Sequence, residues 1–260
     1  MKQCSAQVRE LEEVREGFYY LALEEPYLAA TALPGQFLHL RVTTTFDPLL
    51  RRPFSVAGTS PQTGIVRLFF RRLGTGTKLL SCLRRGDPLD CLGPLGSPFM
   101  PAGKSPAVLL AGGTGIAPLL FLAEKLGGTG DEVYLFYGAA TAASLLPVER
   151  FLPSGPRLFY VTADGSAGET GLLTDAFRRA LEKGLVPGEL FACGPRPFLA
   201  ILAEENRRWG YPLQVSLEEN MACGLGACQG CAVLLQKDGK RTYARVCREG
   251  PVFCDAEVVW

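Results

Sequence analysis

Apolar positions in the first part of the chain come in short runs separated by turn residues. FYYLALE (18–24), QFLHLRV (36–42) and GIVRLFFRRL (64–73) are rich in aromatic and branched side chains. Pro and Gly punctuate the intervals, and no helical period competes. This pattern predicts short strands closing into a small antiparallel barrel. GPLGSPFMPAGKSP (93–106) reads as a loop and marks a boundary. Beyond it the period changes. SPAVLLAGG, EVYLFYGA, RLFYVTAD and ELFACGP are apolar runs of strand length. IAPLLFLAEKL, a short patch near Val148, LLTDAFRRALEKG and PFLAILAEENRRWG stand between or after them as helices. That alternation predicts a parallel, doubly wound α/β sheet over residues 101–211. From Pro212 the chain holds a cysteine-rich loop, then AVLLQKDGKRTYARV, which predicts a hairpin turning at Asp238-Gly239. The expected organisation is a barrel over 1–100, an α/β unit over 101–211 and a small terminal unit over 212–260, without internal repeats.

Bulk properties narrow the function. The chain has 260 residues, 47% hydrophobic and 20% charged, with a formal net charge of +1. No basic run stands out, so neither nucleic acid nor an anionic membrane is an expected partner. The start, MKQCSAQVREL, lacks the apolar stretch of a signal peptide. No run of about 18 apolar residues suggests a membrane span. We therefore expect a cytoplasmic protein with reduced thiols. Its nine cysteines are many and odd in number. Metal explains them better than disulfides do.

Two glycine-bearing loops follow strands of the expected sheet. In AGGTGIAP, Gly113, Thr114 and Gly115 lie between a buried strand and a helix, where backbone can approach a ligand and free amides favour phosphate. The spacing is neither the dinucleotide fingerprint nor a Walker A loop. CGPRP (Cys193, Gly194, Pro195) ends a later strand of the same sheet, and ligands in such sheets sit beyond the carboxyl ends of strands. RRPFSVAG offers the Arg52 guanidinium and the Ser55 hydroxyl, both suited to a pyrophosphate. LFFRRLGTGTKLLS adds Gly76 and Thr77 at a candidate helix start. The single histidine, His39, reads as an ordinary strand residue. No acid–base pair or activated nucleophile is visible.

MACGLGACQGCAV begins at Met221 and sets Cys223, Cys228 and Cys231 in the order C-x4-C-x2-C, that of plant-type [2Fe–2S] loops. A fourth ligand is needed. Cys247 supplies one, and Cys254 is its rival. Glycines let such a loop wrap a cluster and turn amides toward sulfur. A structural zinc site and unliganded thiols are the other readings, although one C-x2-C knuckle of a usual zinc site is missing. The interval from Cys231 to Cys247 is shorter than in plant-type ferredoxins, so the segment is not a fused ferredoxin domain. Cys4, Cys82 and Cys91 read as buried small residues.

In this order and spacing, PGQFLHL, RRPFSVAG, LGTGT, AGGTGIAP and CGP resemble the ferredoxin–NADP reductase superfamily. The resemblance implies an FAD-binding antiparallel β-barrel, a doubly wound α/β pyridine-nucleotide domain and, with the cysteines, a small C-terminal [2Fe–2S] domain. It implies that Arg52, Pro53, Phe54, Ser55, Phe69, Phe70, Arg71, Gly76 and Thr77 hold FAD. Gly113, Thr114 and Gly115 would lie against the phosphates of NAD, and Cys193, Gly194 and Pro195 near its nicotinamide. TADGSAGETGLLTD, CGPRPFL, SLEENMACGLGACQGC and VCREGPVF are further similar to the electron-transfer subunits of NAD-dependent dihydroorotate dehydrogenases. That likeness covers almost the whole chain. It implies an oxidoreductase subunit of pyrimidine (UMP) biosynthesis with no catalytic residue of its own for dihydroorotate. It also implies an FMN-containing catalytic partner, in a heterotetramer of two copies each. Subunits of NADH-dependent ferredoxin:NADP oxidoreductase carry an Asp where Cys223 stands. These, with hydrogenase and sulfite reductase subunits, are the alternative. After EVYLFYGA comes ATAASLL, with no Arg to receive a 2′-phosphate, which favours NAD over NADP.

Overall fold

The computed structural model describes residues 1–152 and 155–260. Its first six strands are β1 (Lys2–Arg15), β2 (Phe18–Glu24), β3 (Phe37–Arg41), β4 (Arg52–Ser60), β5 (Ile65–Arg71) and β6 (Pro88–Leu95). They close into a barrel in the order β1-β2-β5-β4-β3-β6, antiparallel throughout. Helix α1 (Pro26–Thr31) and helix α2 (Thr75–Leu80) are short connectors between its strands. Leu21, Leu38, Leu40, Val56 and Leu68 fill the interior without exposure.

A second sheet has the order β10-β9-β8-β7-β11-β12-β15. Its members are β7 (Ala107–Gly112), β8 (Val133–Ala139), β9 (Arg157–Thr162), β10 (Glu169–Thr170), β11 (Glu189–Cys193), β12 (Leu213–Ser216) and β15 (Val252–Cys254). The strand β13 (Ala232–Lys237) and the strand β14 (Lys240–Arg245) form the separate hairpin, with Asp238 and Gly239 both at positive φ. The turn therefore takes the mirror-image form that suits right-twisted strands. All pairs of the large sheet are parallel except β12 with β15. Strand order reverses between β7 and β11, so the crevice beyond their carboxyl ends is the expected ligand position.

Helix α3 (Ile116–Thr129) joins the two units, with α4 (Val148–Phe151), α5 (Leu173–Glu182) and α6 (Arg196–Trp209) on the α/β side. Nine residues of α3 are buried, because both of its faces are covered. Leu119, Leu120 and Leu122 share the core of the sheet, while Phe121 enters that of the barrel. Burying that ring contributes about 2–3 kcal/mol to the junction. Glu124 of α3 is ion-paired with Arg67 of β5.

The sheet does not stop at Tyr211, where the sequence pattern suggests a boundary. β12 and β15 complete it, and Val233, Val246 and Cys247 join Leu213, Val215 and Phe253 in one core. The terminal segment is thus sewn into the α/β unit, because its own hairpin is too small to bury an apolar face alone. Cys82 also departs from expectation: it is exposed at the end of α2, whereas Cys91 is buried.

Candidate functional site

A cavity of about 410 Å³ opens between the barrel and the sheet. Pro53, Phe54 and Ser55 of β4, Phe69, Phe70 and Arg71 of β5, and Thr77 of α2 line it. Pairing of these β4 residues with β3 and of the β5 residues with β2, and edge-on packing of Phe54 against Phe70, hold this wall. Arg52 lies just outside it, its Nε 3.0 Å from where a Cβ on Gly76 would sit. The guanidinium thus lies against the start of α2, its Nη1 donating to the Leu50 carbonyl at 2.6 Å. The Thr77 hydroxyl accepts from the amides of Leu73 and Gly74 at 2.9 and 3.1 Å, which shapes that turn. Arg52→Ala is expected to weaken flavin retention by about 1.5–3 kcal/mol, the usual worth of a charged hydrogen bond. Flavin content after gel filtration reads this directly.

A second cavity of about 440 Å³ lies at the carboxyl ends of β7, β8 and β9 and is lined by Gly112, Gly113, Thr114, Gly138, Ala139 and Pro195 among others. Arg71 and Thr114 line both cavities. Gly115, Cys193 and Gly194 shape the loops instead. A Cβ on Gly115 would overlap the Cys193 carbonyl and lie 2.6 Å from the Gly194 amide. Gly115→Ala should therefore force the two loops apart, at a cost of about 1–3 kcal/mol. A lowered thermal midpoint together with weakened NADH binding is the expected result. Among the described residues Arg71 is the one cation lining this cavity.

Further wall of the first cavity comes from residues to which the sequence reading gave no site role: Ser216, Leu217, Glu218, Glu219, Asn220 and Met221. They run from the last residue of β12 straight into the cysteine loop. Burial pushes the Cys193 thiol well above its ordinary pKa, and Glu218 adds to this. Glu218 has an exposed edge, yet desolvation still raises its carboxyl.

In the loop, Gly224 and Gly226 adopt positive φ, which turns amides inward. Leu225 and Cys228 donate to the Cys223 Sγ at 3.3 and 3.5 Å, and Gly230 donates to Cys228 at 3.5 Å. Gly226 donates to the Cys247 Sγ at 3.1 Å, and Cys247 to the Cys231 Sγ at 3.5 Å. Burial opposes ionisation of Cys223, but these amides and the Cys228 thiol bring it down to about 6. Burial and the neighbouring Cys231 thiol push Cys247 up to about 12. The thiols thus form two pairs, Cys223 with Cys228 and Cys231 with Cys247. Two pairs with amides aimed at sulfur suit a two-iron cluster, which takes two ligands on each iron. Arg245 clamps the loop, donating to the Gly226 carbonyl at 2.8 Å while ion-paired with Glu249. Cys254 lies apart, on β15 opposite Gln214, its thiol directed to Asp255.

A barrel cavity, an adjoining cavity at a sheet switch point and a thiol loop define a flavin- and nucleotide-binding reductase of the ferredoxin reductase type with an iron–sulfur segment. The family model for the oxidoreductase NAD-binding domain matches residues 109–204, and that for the iron-sulfur cluster binding domain of dihydroorotate dehydrogenase B matches 218–259. The electron transfer subunit of dihydroorotate dehydrogenase B (NAD(+)) from Desulforamulus reducens is 36% identical over 260 residues, 100% of this chain and 99% of that one. Its counterpart from Geobacillus thermodenitrificans is 40% identical over 250 residues, 95% and 94% of the two chains. The chain belongs to this family of electron transfer subunits. Among solved structures, a chain of the NADH-dependent reduced ferredoxin-NADP oxidoreductase superposes with a TM-score of 0.88 at 30% identity, covering 98% of this chain and 90% of that one. The cofactors of this chain are FAD and a [2Fe–2S] cluster, with NAD as the diffusible acceptor.

Proposed function

We propose that this chain is the electron-transfer subunit of an NAD-dependent dihydroorotate dehydrogenase of pyrimidine (UMP) biosynthesis. Electrons from the FMN of a catalytic subunit reach NAD⁺ by way of the [2Fe–2S] cluster and FAD. One observation carries the reading: the barrel cavity shares Arg71 and Thr114 with the nucleotide cavity and is closed by Asn220 and Met221 at the stem of the cysteine loop. A single cavity thus adjoins both of the other sites. When bound, FAD joins two-electron to one-electron chemistry, exchanging a hydride with NAD and single electrons with the cluster.

The protein's own groups bind and orient. Arg52, Pro53, Phe54 and Ser55 hold the ring edge and pyrophosphate of FAD, and Phe69, Phe70, Arg71, Gly76 and Thr77 continue that site. Gly113 and Thr114 bring backbone to the phosphates of NAD and Pro195 walls the nicotinamide, while Gly115, Cys193 and Gly194 shape the loops that carry them. Cys223, Cys228, Cys231 and Cys247 are the cluster ligands. FAD binding thus falls mainly to residues 1–100, NAD binding to 101–211 and the cluster to 212–260, the last packed into the α/β unit.

The partner is an FMN-containing dihydroorotate dehydrogenase catalytic subunit, in a heterotetramer of two copies each. We assign the complex to the cytoplasm, where reduced thiols persist. No helix among the described residues is long and apolar enough to cross a membrane. Copurification of the two subunits with flavin and iron analysis tests the assignment. FAD in this chain and FMN in the partner are expected; FMN alone in this chain would overturn it.

A further inference from the structure

His39 is the one histidine of the chain, and its exposure is 0%. It lies on β3 opposite Pro53, next to the wall of the flavin cavity. Neither ring nitrogen has a hydrogen-bond partner among the described residues. Leaving a buried polar group unpaired ordinarily costs about 1–3 kcal/mol, so such a group calls for an explanation. The ring faces the cysteine loop. A Cβ added at Gly224 would overlap Nδ1 and lie 3.1 Å from Cε1. The backbones of Arg51 and Cys223 flank the ring, one from the barrel and one from the loop. Gly224 adjoins Cys223 and is itself buried. The contact is therefore a close fit between a barrel strand and the loop, made possible by the missing side chain at Gly224.

We propose that His39 is a positioning residue, wedged between the flavin-binding strand pair and Gly224, which fixes the cysteine loop at its working separation from the flavin. The inference rests on the proposed function of the two cofactor sites. Apolar residues could fill the same space. The backbones of Arg51 and Cys223 both favour the protonated ring, so both present acceptors, and the imidazole offers an N–H to one of them, which an apolar side chain does not. The ring then sets both the distance and the orientation of the Cys223 side of the loop. Outer groups that orient metal ligands in this way typically contribute about ten- to a hundredfold in activity.

The test uses the purified subunit loaded with FAD and cluster, without its partner. NADH is mixed in anaerobically, with no added acceptor. NADH loses a hydride to FAD, and the reduced flavin passes one electron on to the oxidised cluster. Flavin bleaching and the electron paramagnetic resonance signal of the reduced cluster are followed separately. His39→Leu should leave flavin bleaching unchanged, slow appearance of the cluster signal about ten- to a hundredfold, and shift or broaden that signal. His39→Asn, which keeps a polar atom near the position of Nδ1, should recover most of the rate. Cluster reduction and a spectrum in His39→Leu identical to wild type would overturn the positioning role. Should His39→Leu lose a cofactor, Gly224→Ala, which presses on the same contact from the loop side, decides. An unaltered cluster signal in that variant would equally overturn the role. Failure of wild type itself to reduce its cluster with NADH would instead count against the electron route, not against His39.

Discussion

A Cys228→Ser variant is expected to keep its FAD and to oxidise NADH with a dye acceptor at the wild-type rate. In the assembled complex it should lose transfer between dihydroorotate and NAD⁺ by about a hundredfold or more. Cys228 is exposed, and surface substitutions usually change stability by no more than about 0.5 kcal/mol. The fold therefore survives the change. The two cavities do not include this thiol among their lining residues. Hydride exchange between NADH and FAD uses those cavities alone, so it persists. Passage to the partner requires the cluster, and a hydroxyl is a poor substitute for a thiolate on iron. The paired assays separate the two halves of the route within one protein.

The second large effect distinguishes the candidate fourth ligands. Cys247→Ser should lose most of the iron and the visible absorbance of the cluster, whereas Cys254→Ser should retain both. Cys247 is 2% exposed and accepts from the Gly226 amide, inside the loop that carries the other three thiols. Its own amide meets Cys231. Cys254 sits on the outermost strand of the sheet, opposite Gln214. Bringing it to the loop would break the β12–β15 pairing that closes the sheet. Iron analysis and absorbance of the two variants, purified side by side, read the outcome. Iron lost from Cys254→Ser and kept in Cys247→Ser would exchange their roles.

Much of this architecture is legible in the chain because its local signals agree with the final packing. FYYLALE, EVYLFYGA and ELFACGP are buried on both faces, so their continuous apolar character reports strands directly. LLTDAFRRALEKG carries an amphipathic helical period and becomes α5. The Asp-Gly dipeptide marks the hairpin turn because both positions need positive φ. β1 is not legible, although it is the longest strand, at 14 residues. KQCSAQVRELEEVR is mostly charged and polar, only Ala6 and Val8 face the core fully, and the strand is specified by pairing with β2 and β6. β12 and β15 are similarly silent, being short and paired with each other across the cysteine loop.

The chemistry divides along the same line. Glycine loops, RRPFS and the thiol spacing are local in sequence, so they can be recognised before any fold is known. The wall from Ser216 to Met221 is assembled only when the sheet meets the barrel, and SLEENM has no spacing that announces a cavity. His39 is the sharpest case. A lone histidine in an apolar strand reads as structural, and only its unpaired nitrogens and the missing side chain at Gly224 give it a direction. Both come from contacts between segments about 180 residues apart, beyond the reach of any local pattern.

The central claim is that electrons cross this chain in the order cluster, FAD, NAD⁺. Rapid mixing of the assembled complex with dihydroorotate and NAD⁺, with samples frozen at intervals for paramagnetic resonance, tests it most directly. The account predicts that the reduced-cluster signal rises before NADH accumulates and that its rate of appearance is at least that of NADH formation. NADH formed at the full rate while the cluster signal stays absent or lags behind it would contradict the account.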